Sequence, residues 1–180
     1  MRGGVKMRLF IALPVTAGVR QALTETQAAL QKKGVRGRYV PPENFHLTLC
    51  FLGSTPDPQP VIDAMGLVPL PKTALTFEKL TLFGDVTVAR LKKDAALESY
   101  VRALRQALDD AQIGYDKQAF RPHVTLARKT ALPYPGLRLT CYAKPLFAQR
   151  LPVKEVCLFA SDLTGGTPRY SAVYTKKTRG

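Results

Sequence analysis

Apolar positions in the first part of the chain predict a strand, a helix and a second strand. An apolar run predicts a strand over residues 8–14, and Thr16 is a candidate N-cap for the helix that follows. The mostly apolar positions of that helix recur at helical spacing, and they are Val19, Leu23, Thr26 and Leu30. A loop is expected over residues 35–44, and alternation resumes in a strand over residues 46–52.

The same order of elements returns in the second half of the chain. Residues 85–92 alternate as a strand does, and Asp94 is a candidate N-cap. The apolar positions of the next helix repeat the spacing of the first, and they are Leu97, Val101, Leu104 and Leu108. This helix is expected to end near Gly114, and a further strand to begin at His123. We therefore predict a degenerate internal duplication of strand, helix, loop and strand.

The remaining segments complete two α+β halves. After a proline-rich turn, a short helix is predicted over residues 61–65. Further strands are expected over residues 74–79, 80–83, 137–143, 153–160 and 169–176. Two such halves predict a bilobed, pseudo-two-fold α+β fold, in which two antiparallel sheets face a central groove and helices lie on the outside. We expect residues 1–180 to form one domain, with residues 1–6 as a flexible extension.

The only two histidines of the chain each open the same tetrapeptide. The first is His46-Leu47-Thr48-Leu49 and the second is His123-Val124-Thr125-Leu126. Side chains alternate faces along a strand, so His and Thr share one side and the two apolar residues share the other. One copy alone is most simply a half-buried strand with a wet polar face. Two copies indicate a concave site with two imidazoles and two hydroxyls, which suits acid–base chemistry on a phosphate.

Charge and cysteine content narrow the class of partner. The chain has 27 Lys and Arg against 13 Asp and Glu, with a net charge of +14 and a pI near 10.0. This excess favours nucleic acid over a membrane, because no basic amphipathic membrane helix, transmembrane segment or secretory segment is evident. Three widely spaced cysteines and two histidines indicate neither a disulfide framework nor a zinc site. A reducing cytoplasm fits this cysteine content best. We also expect a monomer that needs no cofactor.

The residues around both motifs resemble the two-histidine (2H) phosphoesterase superfamily, and most closely its LigT-like, or ThpR-like, RNA 2′,3′-cyclic phosphodiesterases. The resemblance covers nearly the whole chain. It is carried by RLFIALP at the start, YVPPENF before HLTLCFLG, RPHVTLAR in the second half, and a tail with Ser161-Asp162-Leu163, Gly165-Gly166 and Arg169-Tyr170.

The resemblance implies metal-free hydrolysis of a 2′,3′-cyclic phosphate to a 2′-phosphate, on RNA ends such as tRNA fragments or on cyclic nucleotides. Some members of the family also join RNA reversibly through a 2′–5′ bond. Two imidazoles near neutral pH can divide the roles of acid and base. We hypothesise that His46 is the proton donor and His123 the proton acceptor, although the pseudo-symmetry leaves that order open. Thr48 and Thr125 would donate hydrogen bonds to the non-bridging oxygens.

Three residues beside the motifs are further candidates. Arg128 could pair with phosphate through its planar guanidinium, but its odd offset from His123 requires a turn or bulge; the alternative is a solvated strand-end residue. Arg121 has a similar functional interpretation, set against plain surface solubility. Cys50 shares the face of His46 in a regular strand and would border the pocket, although a small buried residue is the favoured interpretation.

Aromatic and hydroxyl side chains are candidates for binding the nucleoside. Phe10, Tyr39 and Tyr170 are candidates to stack on a base. Ser161 is expected either to hydrogen-bond the substrate or to cap the Gly165-Gly166 turn.

Two other functions remain open at this point. One is a phosphodiesterase for another small cyclic phosphate, such as an ADP-ribose derivative. The other is a basic RNA-binding module without turnover. The net charge of +14 favours RNA over the first alternative, and the presence of both histidines and both threonines argues against the second.

Overall fold

Antiparallel strand pairing joins both halves of the chain into one sheet. The computed structural model describes residues 7–179, so the predicted flexible extension over residues 1–6 lies outside the described residues. The strands are β1 (Met7–Pro14), β2 (Arg36–Tyr39), β3 (His46–Thr55), β4 (Ala74–Phe83), β5 (Val86–Leu91), β6 (His123–Ala131), β7 (Arg150–Pro152), β8 (Glu155–Asp162) and β9 (Arg169–Lys177). The helices are α1 (Ala17–Lys32), α2 (Gln59–Leu67), α3 (Ala95–Asp110) and α4 (Lys144–Phe147), with 3-10 helices at Pro42–Asn44 and Leu139–Tyr142.

The strand order reflects the predicted duplication. Within the described residues the order is β7-β4-β5-β6-β3-β1-β8-β9, and β2 pairs with β6 outside this path. We call β3, β1, β8 and β9 the first half-sheet, and β7, β4, β5 and β6 the second. They join between β3 and β6, where the residue pair Leu47 and Val124 lies in register. The α+β class with antiparallel sheets is therefore confirmed, and the two sheets are continuous through this junction.

Both long helices begin where the sequence predicts. The Thr16 side chain accepts a hydrogen bond from the Val19 amide, and Asp94 accepts one from the Leu97 amide. These caps satisfy amides that have no partner within the helix. The apolar stripes predicted for the two helices are buried in the hydrophobic core.

Each long helix packs against the half that does not contain its preceding strand. α1 follows β1, but it contacts α4 and the 3-10 helix at Leu139–Tyr142, and its buried Gln27 donates to the Leu126 carbonyl of β6. α3 follows β5, but it contacts α2 and β3. The two halves are therefore intertwined around a shared core. No helix within residues 7–179 is both long enough and apolar enough to cross a membrane.

Three element predictions were wrong. Residues 36–39, expected in a loop, form β2, because this segment pairs with the free edge of β6. Residues 74–79 and 80–83 form one strand, β4, with an irregularity in its pairing to β5. Residues 137–143, expected as a strand, contain a 3-10 helix, because Leu139, Ala143 and Leu146 recur at helical spacing and are buried.

Candidate active site

The two histidine motifs meet at the junction of the half-sheets. Leu47 and Val124 are fully buried and paired across the junction. Continuing this antiparallel register places His46 beside Thr125 and Thr48 beside His123, all four half-buried on the opposite face. The two histidines are diagonal neighbours, whose positions in such a ladder are separated by about 7–8 Å. The sheet therefore brings both motifs to one surface, as the sequence predicts.

Matching backbone hydrogen bonds orient the two imidazoles. His46 Nδ1 lies 2.7 Å from the Asn44 carbonyl oxygen, and His123 Nδ1 lies 2.7 Å from the Arg121 carbonyl oxygen. A carbonyl oxygen can only accept, so each Nδ1 carries the proton and donates it. Each Nε2 is then the nitrogen available for proton transfer, which is the arrangement an acid–base pair requires.

The surroundings lower the pKa of both histidines. Burial is the largest cause for each ring, because it disfavours the charged imidazolium. The nearby Arg128 guanidinium also lowers both values, and Arg121 and Arg90 further lower the pKa of His123. The Nδ1 hydrogen bonds to carbonyl groups oppose these effects. Both imidazoles therefore favour the neutral form at neutral pH.

Aromatic rings surround His46. Its ring centroid lies 4.9 Å from that of Phe10 and 5.3 Å from that of Tyr170, which meets it edge-on. Phe10 is 3% exposed, so it forms the floor of this side, and its ring also contacts Phe51 at 5.8 Å and Phe159 at 5.4 Å. This cluster places the predicted substrate-binding residue Tyr170 beside His46. The prediction that Phe10 stacks on a base was wrong, because its ring is buried beneath the cluster. Phe51 and Phe159 were not predicted.

Guanidinium groups surround His123 instead. Arg90 is the register partner of His123 on β5. The guanidinium carbon of Arg121 lies 4.6 Å from the Phe83 ring centroid, and Phe83 meets His123 edge-on at 5.1 Å. The buried Nε of Arg90 has no hydrogen-bond partner within the described residues. One side of the site is therefore aromatic and the other is cationic.

A bulge occurs at the same position in β3 and β6. In β6 the pairing with β5 shifts by one residue after Thr125, and in β3 the pairing with β1 shifts by one residue after Thr48. Each shift inserts one extra residue and reverses the alternation beyond it. Arg128 thereby returns to the face of His123, which is the bulge that its predicted role requires.

The matching bulge in β3 decides between the two interpretations of Cys50. Cys50 is 3% exposed and packs in the core, whereas Phe51 takes the site face at 51% exposure. Burial raises the pKa of Cys50 to about 12. The favoured interpretation of Cys50 as a small buried residue is confirmed, and the alternative in which it borders the pocket was wrong.

Two other predicted residues have different positions. Tyr39 pairs with the buried Ala127, packs against the core and donates its hydroxyl to the Val35 carbonyl, so the structure does not bring it into the site. Ser161 pairs with Tyr170 and lies at the edge of the aromatic cluster. Its alternative role as a cap was wrong, because Asp162 accepts the hydrogen bonds of Thr164 in the Gly165-Gly166 turn.

Asn44 is a positioning residue that sequence reasoning missed. Its carbonyl orients His46, and its buried side-chain amide donates to the Pro168 carbonyl at 2.8 Å. Pro168 lies just before β9, which carries Tyr170. Asn44 thus fixes His46 relative to the strand that supplies its aromatic neighbour. An asparagine two residues before the motif was the signal available in the sequence.

One family model matches the chain twice. The model, LigT like Phosphoesterase, matches residues 13–92 and again residues 90–170. Each match contains one histidine motif, so the duplication is visible in this comparison as well.

Two similar proteins are both named RNA 2′,3′-cyclic phosphodiesterase. The protein of Geobacillus stearothermophilus is 28% identical over 173 residues, which cover 91% of this chain and 55% of that protein. The chain thus spans about half the length of this relative. The protein of Thermus thermophilus is 29% identical over 200 residues, which cover 97% of this chain and 91% of that protein.

Solved structures have the same fold. A crystal structure of a protein from Thermus thermophilus matches with a TM-score of 0.77 and 28% identity, covering 97% of this chain and 99% of that one. The crystal structure of E. coli LigT complexed with 3′-AMP matches with a TM-score of 0.74 and 23% identity, covering 98% and 100%. These likenesses agree with the bilobed α+β architecture described above.

Proposed function

The chain belongs to the LigT like phosphoesterase family, and on this premise we propose that it hydrolyses the 2′,3′-cyclic phosphate at RNA ends to a 2′-phosphate. The observation that carries the proposal is the pair of histidines on one face of the sheet, each held by the same Nδ1 hydrogen bond. The names of the Geobacillus and Thermus relatives support the substrate class. The net charge of +14 supports a polyanionic substrate.

The two imidazoles would act on opposite sides of an in-line displacement. The neutral Nε2 of His123 accepts a proton from water as the water oxygen bonds to phosphorus. The bond from phosphorus to the ribose 3′ oxygen breaks, and the protonated Nε2 of His46 donates a proton to that oxygen. The product keeps the phosphate on the 2′ oxygen, and the histidines have exchanged protonation states.

The asymmetry of the site favours this order of roles. His123 lies among Arg90, Arg121 and Arg128, whose positive charges disfavour protonation of its ring. His46 lies among aromatic rings, and of the described arginines Arg128 is the one that contributes to lowering its pKa. A bound phosphate neutralises positive charge and favours the protonated His46. The arginine cluster therefore supports His123 as the base and His46 as the acid.

Hydrogen-bond donors and fixed positive charge would stabilise the phosphate without a metal ion. Thr48 and Thr125 lie beside the histidines and would donate to the non-bridging oxygens. Arg128 reaches the same face, and Arg90 has a buried Nε with no protein partner in the described region. No group of three His, Cys, Asp or Glu within residues 7–179 is placed to hold a metal. This donor set suits an anion, so we propose metal-free catalysis.

The aromatic side of the site would bind the terminal nucleoside. Phe51 is half exposed, and Tyr170 lies beside His46, so both offer ring faces or edges to a base. Phe10 supports them from below. Base–aromatic stacking is tolerant of sequence, so we expect turnover with all four bases.

The proposal is tested by incubating the protein with 2′,3′-cyclic AMP and with a short RNA that ends in a cyclic phosphate. We expect a 2′-phosphate product, and a rate loss on the order of 10²-fold or more for His46→Ala and for His123→Ala. EDTA should leave the rate unchanged. Reversible 2′–5′ joining is assayed separately, by adding a second RNA that carries a 5′-hydroxyl to the cyclic-phosphate RNA.

Other outcomes would contradict specific parts of the proposal. A 3′-phosphate product would exclude the assigned leaving group, and full activity in either alanine variant would exclude that histidine. Activity lost in EDTA and restored by a divalent ion would exclude the metal-free route. RNA binding without turnover would indicate a binding module, and preferential turnover of a cyclic phosphate of ADP-ribose would indicate the other small-molecule class.

A further inference from the structure

β2 continues the edge of β6 beyond the point where β3 leaves it. β3 meets β6 at the pair Leu47 and Val124. Farther along β6, β2 occupies the same edge, with Arg38 opposite Arg128 and Arg36 opposite Ala131. The short strand expected as a loop therefore extends the sheet directly away from the histidine pair.

The arginines of β2 lie on the same face as the catalytic pair. Arg38 is the cross-strand partner of Arg128, which faces the site after the bulge in β6, and cross-strand partners share a face. The pairing shifts by one residue between Arg36 and Arg38, but the extra residue lies in β6, so alternation along β2 is kept and Arg36 shares the face of Arg38. Gly37 lies between them, where an added Cβ would be 3.0 Å from the Arg128 carbonyl oxygen. Glycine thus permits β2 to lie close enough to β6 to present both arginines.

The charge of this row is not compensated by the protein. Arg36, Arg38 and Arg128 are all exposed. Within residues 7–179 the side-chain ion pair is that of Lys117 with Asp109, on another part of the surface. Cross-strand neighbours are about 5 Å apart, and alternate residues of a strand about 7 Å apart. The backbone positions of the three arginines therefore form a spaced row that begins beside the histidine pair and leads away from it.

We propose that Arg36 and Arg38 bind the sugar–phosphate backbone of a single-stranded RNA whose cyclic-phosphate end occupies the histidine pair. This inference rests on the proposed function. Arg36 pairs with Ala131, eight residues along β6 from His123, which at the rise of a strand is roughly 20 Å. A mononucleotide bound at the histidine pair is therefore expected not to reach Arg36. The aromatic cluster lies on the other side of the pair and offers rings to an unpaired base. The substrate class is therefore an oligonucleotide with an unpaired end, and β2 is the element that distinguishes it from a cyclic mononucleotide.

The test compares two substrates in two charge-matched double variants. One variant is Arg36→Ala with Arg38→Ala, and the control is Arg20→Ala with Arg102→Ala, both exposed on helices. The substrates are 2′,3′-cyclic AMP and a short single-stranded RNA with a cyclic-phosphate end. We expect the β2 variant to lose about tenfold or more in kcat/KM on RNA and to retain its rate on cyclic AMP. Each phosphate contact on a single strand contributes about 0.7 to the salt slope, so the slope should fall by about 1.4.

Each other outcome has a defined meaning. An unchanged rate on RNA, or an equal loss in the control variant, would overturn the assignment of β2. Equal losses on both substrates would also overturn it, because the arginines would then act on the histidine site and not on the RNA backbone. If the unmodified protein turns over neither substrate, the proposed function fails. Fluorescence anisotropy with the same RNA then still tests whether Arg36 and Arg38 bind it.

Discussion

Arg128 is the residue that couples the two histidines electrostatically. Its positive charge lowers the pKa of both His46 and His123, and it also affects Tyr170 on the aromatic side. Among the arginines that the structure describes, no other lowers the pKa of both imidazoles. Its charge is therefore expected to shift the pH range of activity, in addition to the larger effect of burial, and to attract phosphate.

The pH dependence of kcat/KM tests this role. Both imidazole pKa values are lowered, so the acidic limb (His123) and the basic limb (His46) should both lie below the usual value of about 6.5. Arg128→Gln removes a positive charge that disfavours protonation, so both limbs should move to higher pH, with kcat/KM falling about 10²-fold. Arg102→Gln, on the surface of α3, is the control. A profile that keeps its limbs in Arg128→Gln would show that the charge does not act on the pair.

The site residues that could be predicted from the sequence are those that belong to a recognisable local pattern. The histidines and threonines were found because two motifs repeat, and strand alternation alone places them on one face. Phe83 and Arg90 were missed because they reach the site through pairing with distant strands, and Phe51 because the bulge in β3 turns it to the site face. No local pattern in the sequence marks such a residue, because the register of strand pairing, and not the spacing along the chain, decides which residues it contacts.

At the scale of elements, the paired bulges decide which side chains face the substrate. Both motif strands bury two consecutive residues after the threonine, Leu49 and Cys50 in β3 and Leu126 and Ala127 in β6. The residue that follows is Phe51 in one half and Arg128 in the other. The same bulge, present in both copies of the duplication, thus presents an aromatic ring to the site from β3 and a guanidinium from β6.

Paired substitutions at the β3 bulge test which residue faces the substrate. Cys50→Ala should leave kcat/KM within about twofold and lower the free energy of unfolding by about 1 kcal/mol, because it removes a buried side-chain atom. Phe51→Ala should lower kcat/KM about tenfold through lost stacking, with little effect on stability. Mass spectrometry should find iodoacetamide on the exposed Cys141 and not on Cys50, whose pKa is raised to about 12. The reverse ranking in activity would place Cys50 at the site after all.

Elements were predicted correctly where the buried residues follow one helical or strand periodicity. They were predicted incorrectly where contacts with distant parts of the chain determine the secondary structure. Both long helices and their caps were predicted, because capping and apolar spacing are local. Residues 137–143 alternate as a strand does, but the Thr140 hydroxyl hydrogen-bonds both the amide and the carbonyl of Leu80. The Thr140 side chain thus makes the hydrogen bonds to the β4 backbone that a neighbouring strand would have made. No pattern in the sequence indicates that a side chain takes this role.

At the scale of the whole molecule, duplication and exchange of helices make the two halves interdependent. The order of elements and the histidine repeats predict two pseudo-equivalent halves. The crossing of α1 to the second half and of α3 to the first does not follow from the order of elements, since either packing buries the same stripes. The crossing of α1 is instead fixed by specific contacts, such as the hydrogen bond from Gln27, a polar residue within the buried stripe of α1, to the Leu126 carbonyl of β6.

Gln27 is the residue through which the cooperativity of the halves is best tested. Its side-chain amide donates to the carbonyls of Val40, which directly follows β2, and of Leu126 on β6, so it ties α1 to the second motif strand. Gln27→Leu keeps the volume but removes both donors, so the free energy of unfolding should fall by about 2 kcal/mol. Gln21→Leu, exposed on the same helix, should change it by less than about 0.5 kcal/mol.

Urea unfolding followed by circular dichroism and by tyrosine fluorescence should give one coincident transition in all three proteins, because a helix from one half is anchored on the other. Two separate transitions in the unmodified protein, or equal stability of the two variants, would mean that the halves fold as independent units.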